Sequence, residues 1–272
     1  MKRKVAITGA SGGIGSALAR YYANKDTQLY LCARDALRLE RIANACRQLG
    51  AEVHTQVFDL RDYDLMISWV DELTADGFLS IFISTSGVSA SVVLKDHKRE
   101  PEAFADLQRE LDVNSTASIL CVNQVVEKSL QQKSPTQHLQ VGVISSLAAL
   151  TGLPSSPGYS ASKASLRVYC QALRRLVKHD NIGVTAILPG YIDTAMSQRY
   201  IGVKPWMISA EEAAEKIAQS LQKNQPECIF PKILAFGIFL LNCLPEFLQA
   251  PFLKNFDFQV LADQESQRQK SK

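Results

Sequence analysis

Residues 5–15 read Val5-Ala6-Ile7-Thr8-Gly9-Ala10-Ser11-Gly12-Gly13-Ile14-Gly15, a short apolar run that breaks into a glycine-rich turn. Beyond the turn, Ala17, Leu18 and Tyr21 are spaced to face inward on a helix. A glycine-rich turn between a strand and a helix lets backbone N–H groups approach a pyrophosphate. The helix N-terminus then adds partial positive charge. The spacing is TGxxxGxG, not GxGxxG. Gly9 to Gly13 also satisfies GxSxG, the nucleophile elbow of hydrolases. That elbow needs several strands ahead of it, and only eight residues precede Gly9. Ser160-Ala161-Ser162-Lys163 fits the SxxK of β-lactamases, but no SDN or KTG accompanies it.

Outward from this turn, short apolar runs alternate with helical patterns. The runs are 5–8, 28–33, 52–58, 79–84, 139–145, 182–188 and 227–230. Runs apolar throughout suit strands covered on both faces. A helix over 35–49 places Leu39, Ile42, Ala43, Cys46 and Leu49 on one face, with Gly50 as a stop. A long helix is predicted over 101–130, with Leu107, Leu111, Ile119, Val122 and Val126 among its apolar positions. Ser209 and Glu212 form a capping box, and Ala214, Ile217, Ala218 and Leu221 mark the buried face that follows. This is the pattern of a doubly wound α/β fold of Rossmann type. It predicts a seven-stranded, mostly parallel sheet with helices on both faces. The reading is one domain over 1–226 and an extension over 227–272 that holds the last strand, an apolar segment and a polar tail.

The 272 residues are 46% hydrophobic and 21% charged, which excludes a disordered or collagen-like chain. Thirty Lys+Arg against 27 Asp+Glu give a net charge of +3, which does not suggest a nucleic-acid partner. Six cysteines without a CxxC pair, and four histidines without ligand spacing, point to reduced thiols and no metal site. The N-terminus is too poor in apolar residues for a signal peptide. These features predict a cytoplasmic protein. One anomaly stands out, the apolar segment 233–244.

The end of the second strand sets nucleotide choice. An acidic residue there favours NAD(H) through the ribose hydroxyl. Here Cys32-Ala33 is followed by Arg34, which can pair with a 2′-phosphate, and Ser11 can add a hydroxyl. The expectation is NADP(H) over NAD(H). Asp35 either starts the next helix or reaches the ribose.

Residues 145–163 carry the sharpest signal. Ser146 closes the fifth strand, and Tyr159 and Lys163 follow one helical turn apart. An ammonium near a phenol favours the phenolate, so the Tyr159 pKa is expected to fall towards working pH. A tyrosine so tuned passes a proton to or from a substrate oxygen.

At this point the chain resembles the classical short-chain dehydrogenase/reductase family, over about residues 3–225. TGxxxGxG matches Thr8, Gly9, Gly13 and Gly15; YxxxK matches Tyr159 and Lys163; the strand-end serine matches Ser146. The resemblance implies that Asn114 is the helical asparagine of the proton relay and that Asp59 contacts adenine. It places Pro189-Gly190 after the sixth strand and Thr194 at the nicotinamide carboxamide. Ile14, Leu60 and Ile192 complete the implied cofactor contacts. Asn114 also opens an Asn-Ser-Thr sequon, read as coincidence. One motif departs: Asn-Asn-Ala-Gly is replaced by Ser84-Thr85-Ser86-Gly87. Gly87 keeps the close approach to the cofactor, but the tie holding that strand end is in question.

The implied chemistry is hydride transfer between nicotinamide and a carbonyl or carbinol carbon. Tyr159 would be the general acid or base, Lys163 would lower its pKa and bind ribose, Ser146 would hold the substrate oxygen, and Asn114 would position a water. The alternative is a catalytically silent dinucleotide-binding regulator or scaffold. A lid over 191–207, with Met196, Tyr200, Ile201, Trp206 and Met207, suggests a small lipophilic ketone, aldehyde or secondary alcohol. The family also implies a homodimer or homotetramer. The segment 232–254, with Lys232 and Lys254 at its ends, has three open readings. It packs on the core or a partner copy, it lies at a membrane interface, or it caps the pocket.

Overall fold

The computed structural model describes residues 2–75, 77–90, 93–95, 98–132, 138–253 and 259–260. Seven strands form one sheet: β1 Arg3–Thr8, β2 Thr27–Ala33, β3 Glu52–Val57, β4 Ile81–Ser84, β5 Leu139–Ile144, β6 Ile182–Pro189 and β7 Glu227–Phe230. Their order is β7-β6-β5-β4-β1-β2-β3, and every pairing is parallel. The order reverses between β1 and β4. In such a sheet the cleft for a ligand opens at the carboxyl ends of those strands.

Alternate residues of each strand feed opposite faces. Val5 and Ile7 join one core with α1 Gly13–Tyr22, α2 Ala36–Gln48 and α7 Ala210–Gln222. Ala6 joins the other with α3 Tyr63–Ala75, α5 Ser118–Gln132 and α6 Pro157–Leu176, where Trp69, Phe82, Val122 and Leu166 are buried. Burial on both faces explains why the inner strands are mostly apolar, while β3 at the edge of the sheet reads EVHTQV and has no fully buried residue.

Several sequence expectations need correction in detail. Tyr21 is exposed and Tyr22 is buried instead, because Tyr22 is the residue four after Leu18. Leu49 lies beyond the end of α2 and is exposed. The long helix is not continuous. It comprises α4 Phe104–Glu110, a π-helical stretch Leu111–Ala117 and then α5. A wider turn rotates the register, which leaves Leu111 facing solvent while Val113 and Asn114 turn inward. Ser209 accepts from Glu212 N at 3.0 Å as expected, but the Glu212 carboxylate pairs with Lys216 at 3.4 Å rather than closing the box.

The apolar segment folds as α8 Lys232–Asn242, and Pro245 separates it from α9 Glu246–Leu253. Among the described residues no helix is long and apolar enough to cross a membrane. Lys254 and the polar tail over 261–272 lie outside the described residues.

Candidate active site

The first turn is built for close approach. Gly9 adopts φ +65°, a region that costs a glycine nothing. A side chain at Gly15 would begin 2.4 Å from Gly9 O, and one at Gly13 would begin 2.3 Å from Thr194 Cγ2. Gly12 caps α1 without a side-chain hydrogen bond, so the first N–H groups of that helix remain available to an anion. This cradle fits the pyrophosphate of a dinucleotide.

The departure at 84–87 has a structural answer. Thr85 Oγ1 donates to Thr8 O at 2.6 Å, and Thr85 N donates to Thr8 Oγ1 at 3.2 Å. A threonine thus ties β4 to β1 at the point of reversal. Gly87 then passes close to the relay residues: a side chain there would begin 3.3 Å from Lys163 Nζ and 3.4 Å from Asn114 Oδ1.

Arg34 and Asp59 meet across the ends of β2 and β3 at 3.7 Å. Asp59 also holds Arg61 through two side-chain bonds. Desolvation works against the ionised Asp59, but its bonds to Arg61 and the charge of Arg34 hold its carboxyl below the usual value. Asp35 turns to its own helix, where it accepts from Arg38 N at 3.0 Å and pairs with Arg38 Nε at 3.2 Å. Leu60 turns its side chain into the core.

The N-terminal half of α6 and the end of β5 bring the remaining groups together. Pro157 sits in the first turn of α6, where its missing N–H is harmless. Lys163 Nζ donates to Ile144 O at 2.9 Å and lies 5.7 Å from the Tyr159 ring centroid. Ser145 Oγ donates to Lys163 O at 2.7 Å, which locks helix to strand. Ser146 caps the short turn Leu147–Ala149, accepting from Ala148 N at 3.1 Å, and lines the same cavity as Tyr159. Asn114 is fully buried in the π stretch; its Oδ1 accepts from Val88 N at 2.7 Å, and its Nδ2 donates to Val88 O at 2.9 Å and Ser162 Oγ at 3.1 Å. A side chain so enclosed is closed to a glycan, in keeping with a coincidental sequon.

The electrostatics differ from the sequence expectation. Burial pushes Tyr159 up to about 12, against the lowering effect of Ser146, and Glu110 raises it further. Burial pulls Lys163 down to about 8, while Glu110 favours its charge. Desolvation therefore outweighs the expected lowering of the tyrosine by the lysine. The phenol keeps its proton at neutral pH.

One cavity gathers Ile14, Gly87, Ser146, Tyr159, Lys163, Pro189, Gly190, Ile192 and Thr194. Gly9, Ser11, Gly13, Gly15, Arg34, Asp59 and Leu60 lie outside its lining, the glycines at the first turn and the charged pair at the strand ends. Of the lid residues, Met196 and Tyr200 line it, while Ile201, Trp206 and Met207 face solvent. Sequence reasoning missed Val88, Ser89 and Leu153 as wall residues, and it did not choose which face of 233–244 points inward. Leu234, Ile238 and Leu241 line the cavity at helical spacing, so α8 does cap the pocket. The signal was present as an i, i+4, i+7 stripe, hidden because the neighbouring positions are apolar too.

A dinucleotide cradle, a Ser–Tyr–Lys group and an apolar cavity on a doubly wound sheet define a nicotinamide-type oxidoreductase architecture. A family model described as short chain dehydrogenase matches residues 3–202, and the chain belongs to this family of short-chain dehydrogenase/reductase enzymes. It is 30% identical to the "11-beta-hydroxysteroid dehydrogenase-like 2" of Arabidopsis thaliana, over 89% of this chain and 78% of that one. It is also 30% identical to a "3-dehydrosphinganine reductase" of the same plant, over 89% and 70%. A crystal structure of an actinorhodin polyketide ketoreductase variant with NADPH superposes with a TM-score of 0.69 at 20% identity, over 81% of this chain and 90% of that one.

Proposed function

We propose that this enzyme transfers a hydride between NADP(H) and a lipophilic ketone, aldehyde or secondary alcohol, with Tyr159 as general acid or base. The observation that carries the reading is the grouping of Ser146, Tyr159 and Lys163 on the lining of one mostly apolar cavity, with Lys163 Nζ 5.7 Å from the Tyr159 ring centroid. The nicotinamide cofactor, when bound, supplies or accepts the hydride. The rest is done by the chain. Ser146 and Tyr159 orient the substrate oxygen, and Tyr159 gives its proton to that oxygen in reduction. Lys163, anchored on Ile144 O, holds positive charge beside the phenol and is placed to meet ribose hydroxyls. Asn114 fixes the 88 backbone next to Lys163 and is placed to position a relay water.

NADP(H) is favoured by Arg34 at the strand end and by Asp35 being engaged with Arg38. A lipophilic substrate is supported by the walls Val88, Leu147, Leu153, Met196 and Leu234. The names of the two plant relatives point the same way, since hydroxysteroids and 3-dehydrosphinganine are both lipophilic. The outer face of α8 supports a peripheral membrane contact: Ile233, Phe236, Phe239 and Leu240 are exposed while the inner face walls the cavity. Homodimer or homotetramer assembly belongs to the same proposal, and the exposed Val168 and Leu176 of α6 offer an apolar face for it.

The test is NADPH oxidation by the purified protein over a panel of lipophilic ketones, with water-soluble ketones as controls. Turnover that grows with substrate lipophilicity supports the reading. Tight dinucleotide binding without turnover on any member would favour the silent regulator instead.

A further inference from the structure

Beneath the head of α6 lies a group of carboxyls that the hydride chemistry does not use. Glu110 ends α4, one turn before Asn114, and is 1% exposed. Its Oε1 accepts from Ala90 N at 2.5 Å, and its Oε2 is buried without a hydrogen-bond partner among the described residues. Glu102 reaches the same place from the loop ahead of α4. Its Oε2 accepts from Gly158 N at 2.7 Å, and its Oε1 is likewise buried and unpartnered. A side chain at Gly158 would begin 2.8 Å from Oε2 of each glutamate. Both Oε2 atoms therefore border the space that Gly158 leaves open.

An ionised carboxylate can only accept hydrogen bonds. Two ionised carboxylates here would combine like-charge repulsion with buried orphan acceptors, each unfavourable by itself. One added proton removes a charge and turns an orphan oxygen into a donor. The charged surroundings are mixed. Asp106 and the buried Arg109 lie on α4, Tyr159 and Lys163 face the group from α6, and Arg199 reaches Ser89 O at 3.4 Å from the lid. Burial raises Glu110 to about 8, with Glu102 and Asp106 adding to the rise and Lys163 opposing it. Burial raises Glu102 too.

The pair holds two parts of the site together. Ala90 is pinned at its N–H by Glu110 and at its carbonyl by Ser156 Oγ, at 2.6 Å. Val88 and Ser89 just before it wall the cavity. Ser156 stands at the N-terminal end of α6, three residues before Tyr159, with its hydroxyl turned to Ala90 rather than to the helix.

We propose that Glu110 and Glu102 hold one shared proton at neutral pH and, in that form, position the 88–90 wall of the cavity against Tyr159. Glu110 is a positioning residue here, not a catalytic one. The effect on turnover rests on the Tyr159 reading above; the proton itself does not.

Melting of the full-length protein as a function of pH tests the proton. An acid whose pKa is raised by folding lowers stability as pH climbs from its unfolded value, about 4.3, towards its folded value. Lys163 is lowered, so it acts in a separate window, between its folded value of about 8 and its unfolded value. The wild type is expected to lose Tm between about pH 5 and pH 8. Glu110→Gln should abolish most of that fall and melt above the wild type at pH 8. Glu102→Gln removes a like charge, so its fall should be shallower and end at lower pH. Parallel profiles for wild type and Glu110→Gln would overturn the shared proton. Should Glu110→Gln fail to fold, infrared titration of the wild type reads the same group. A protonated-carboxyl band at pH 7 that vanishes near pH 8 supports the pair, and its absence at pH 7 overturns it. Positioning is read from KM for the carbonyl substrate. It should rise several-fold from pH 6.5 to pH 8.5 in the wild type and stay nearly level in Glu110→Gln; equal rises would remove the positioning role.

Discussion

Gly13 lies directly under Thr194: a side chain at 13 would begin 2.3 Å from Thr194 Cγ2 and 2.7 Å from its Cβ. The contact joins the first turn to the segment after β6, so the two walls of the cofactor cleft have fixed spacing. Gly13→Ala should force the segment around Thr194 outward, because its Cβ cannot rotate away. Overpacking of this kind costs about 1–3 kcal/mol, which borne by the bound state is roughly five- to hundredfold in affinity for NADPH. Fluorescence titration measures it. Thr194→Gly in the same chain should restore part of the loss; a double variant no better than Gly13→Ala would show that the contact is not the cause.

Tyr159→Phe keeps the ring in the helix and removes the hydroxyl that shares the cavity lining with Ser146. Reduction of a lipophilic ketone should fall by roughly 10²–10⁴, the usual share of general acid–base catalysis. NADPH affinity should change little. Steady-state rates with parallel binding titrations separate the two. Activity within about threefold of wild type would remove Tyr159 from its role.

How much of this was legible beforehand divides along physical lines. The strands and the glycine turn were readable because burial on both faces and backbone approach leave local marks, as in the run from Val5 to Thr8. The closeness of Tyr159 and Lys163 was readable too, since they stand one helical turn apart. The tie from Thr85 to Thr8 was not, since it joins residues 77 apart and shows only once β1 and β4 lie side by side. Glu110 was invisible as a site residue, because nothing local distinguishes a buried glutamate from a solvated one. The direction of the Tyr159 shift is not legible, because a sequence shows a neighbouring charge but not the desolvation that raises the phenol.

The pH profile should follow Lys163 rather than Tyr159. Burial raises Tyr159 to about 12, so it stays protonated and able to donate throughout the working range. Lys163 is lowered to about 8 and loses its charge above that pH. Carbonyl reduction is therefore expected to hold up to about pH 8 and to decline above it, as the positive charge beside the phenol disappears. Maximal rates at saturating NADPH and saturating carbonyl substrate between pH 6 and pH 10 check this. A profile flat to pH 9.5 would contradict the lowered lysine.

Arg34 sets nucleotide choice if its guanidinium meets a 2′-phosphate. Asp59 stands 3.7 Å from it and keeps it at the strand end in the meantime. Arg34→Ala should weaken NADPH by about 1.5–3 kcal/mol, the range for a hydrogen bond to a charged group, or roughly ten- to a hundredfold. NADH should be nearly unaffected, because it carries no 2′-phosphate. Equal losses for the two nucleotides would assign Arg34 a structural role through Asp59.

Phe236 and Phe239 stack with centroids 6.4 Å apart on the outer face of α8, each 61% exposed. Leu234, Ile238 and Leu241 on the opposite side line the cavity. A helix that walls the cavity on one side and exposes aromatic rings on the other is suited to receive a lipophilic substrate from a lipid surface. Burying one such ring in lipid contributes about 1.5–3 kcal/mol, so Phe236→Glu with Phe239→Glu should lower vesicle binding at least tenfold. Co-sedimentation with phosphatidylcholine vesicles, with and without anionic lipid, measures this. Turnover of a water-soluble ketone should stay within about twofold, since neither ring reaches the cavity. Equal sedimentation of wild type and double variant would rule out this face as the membrane contact.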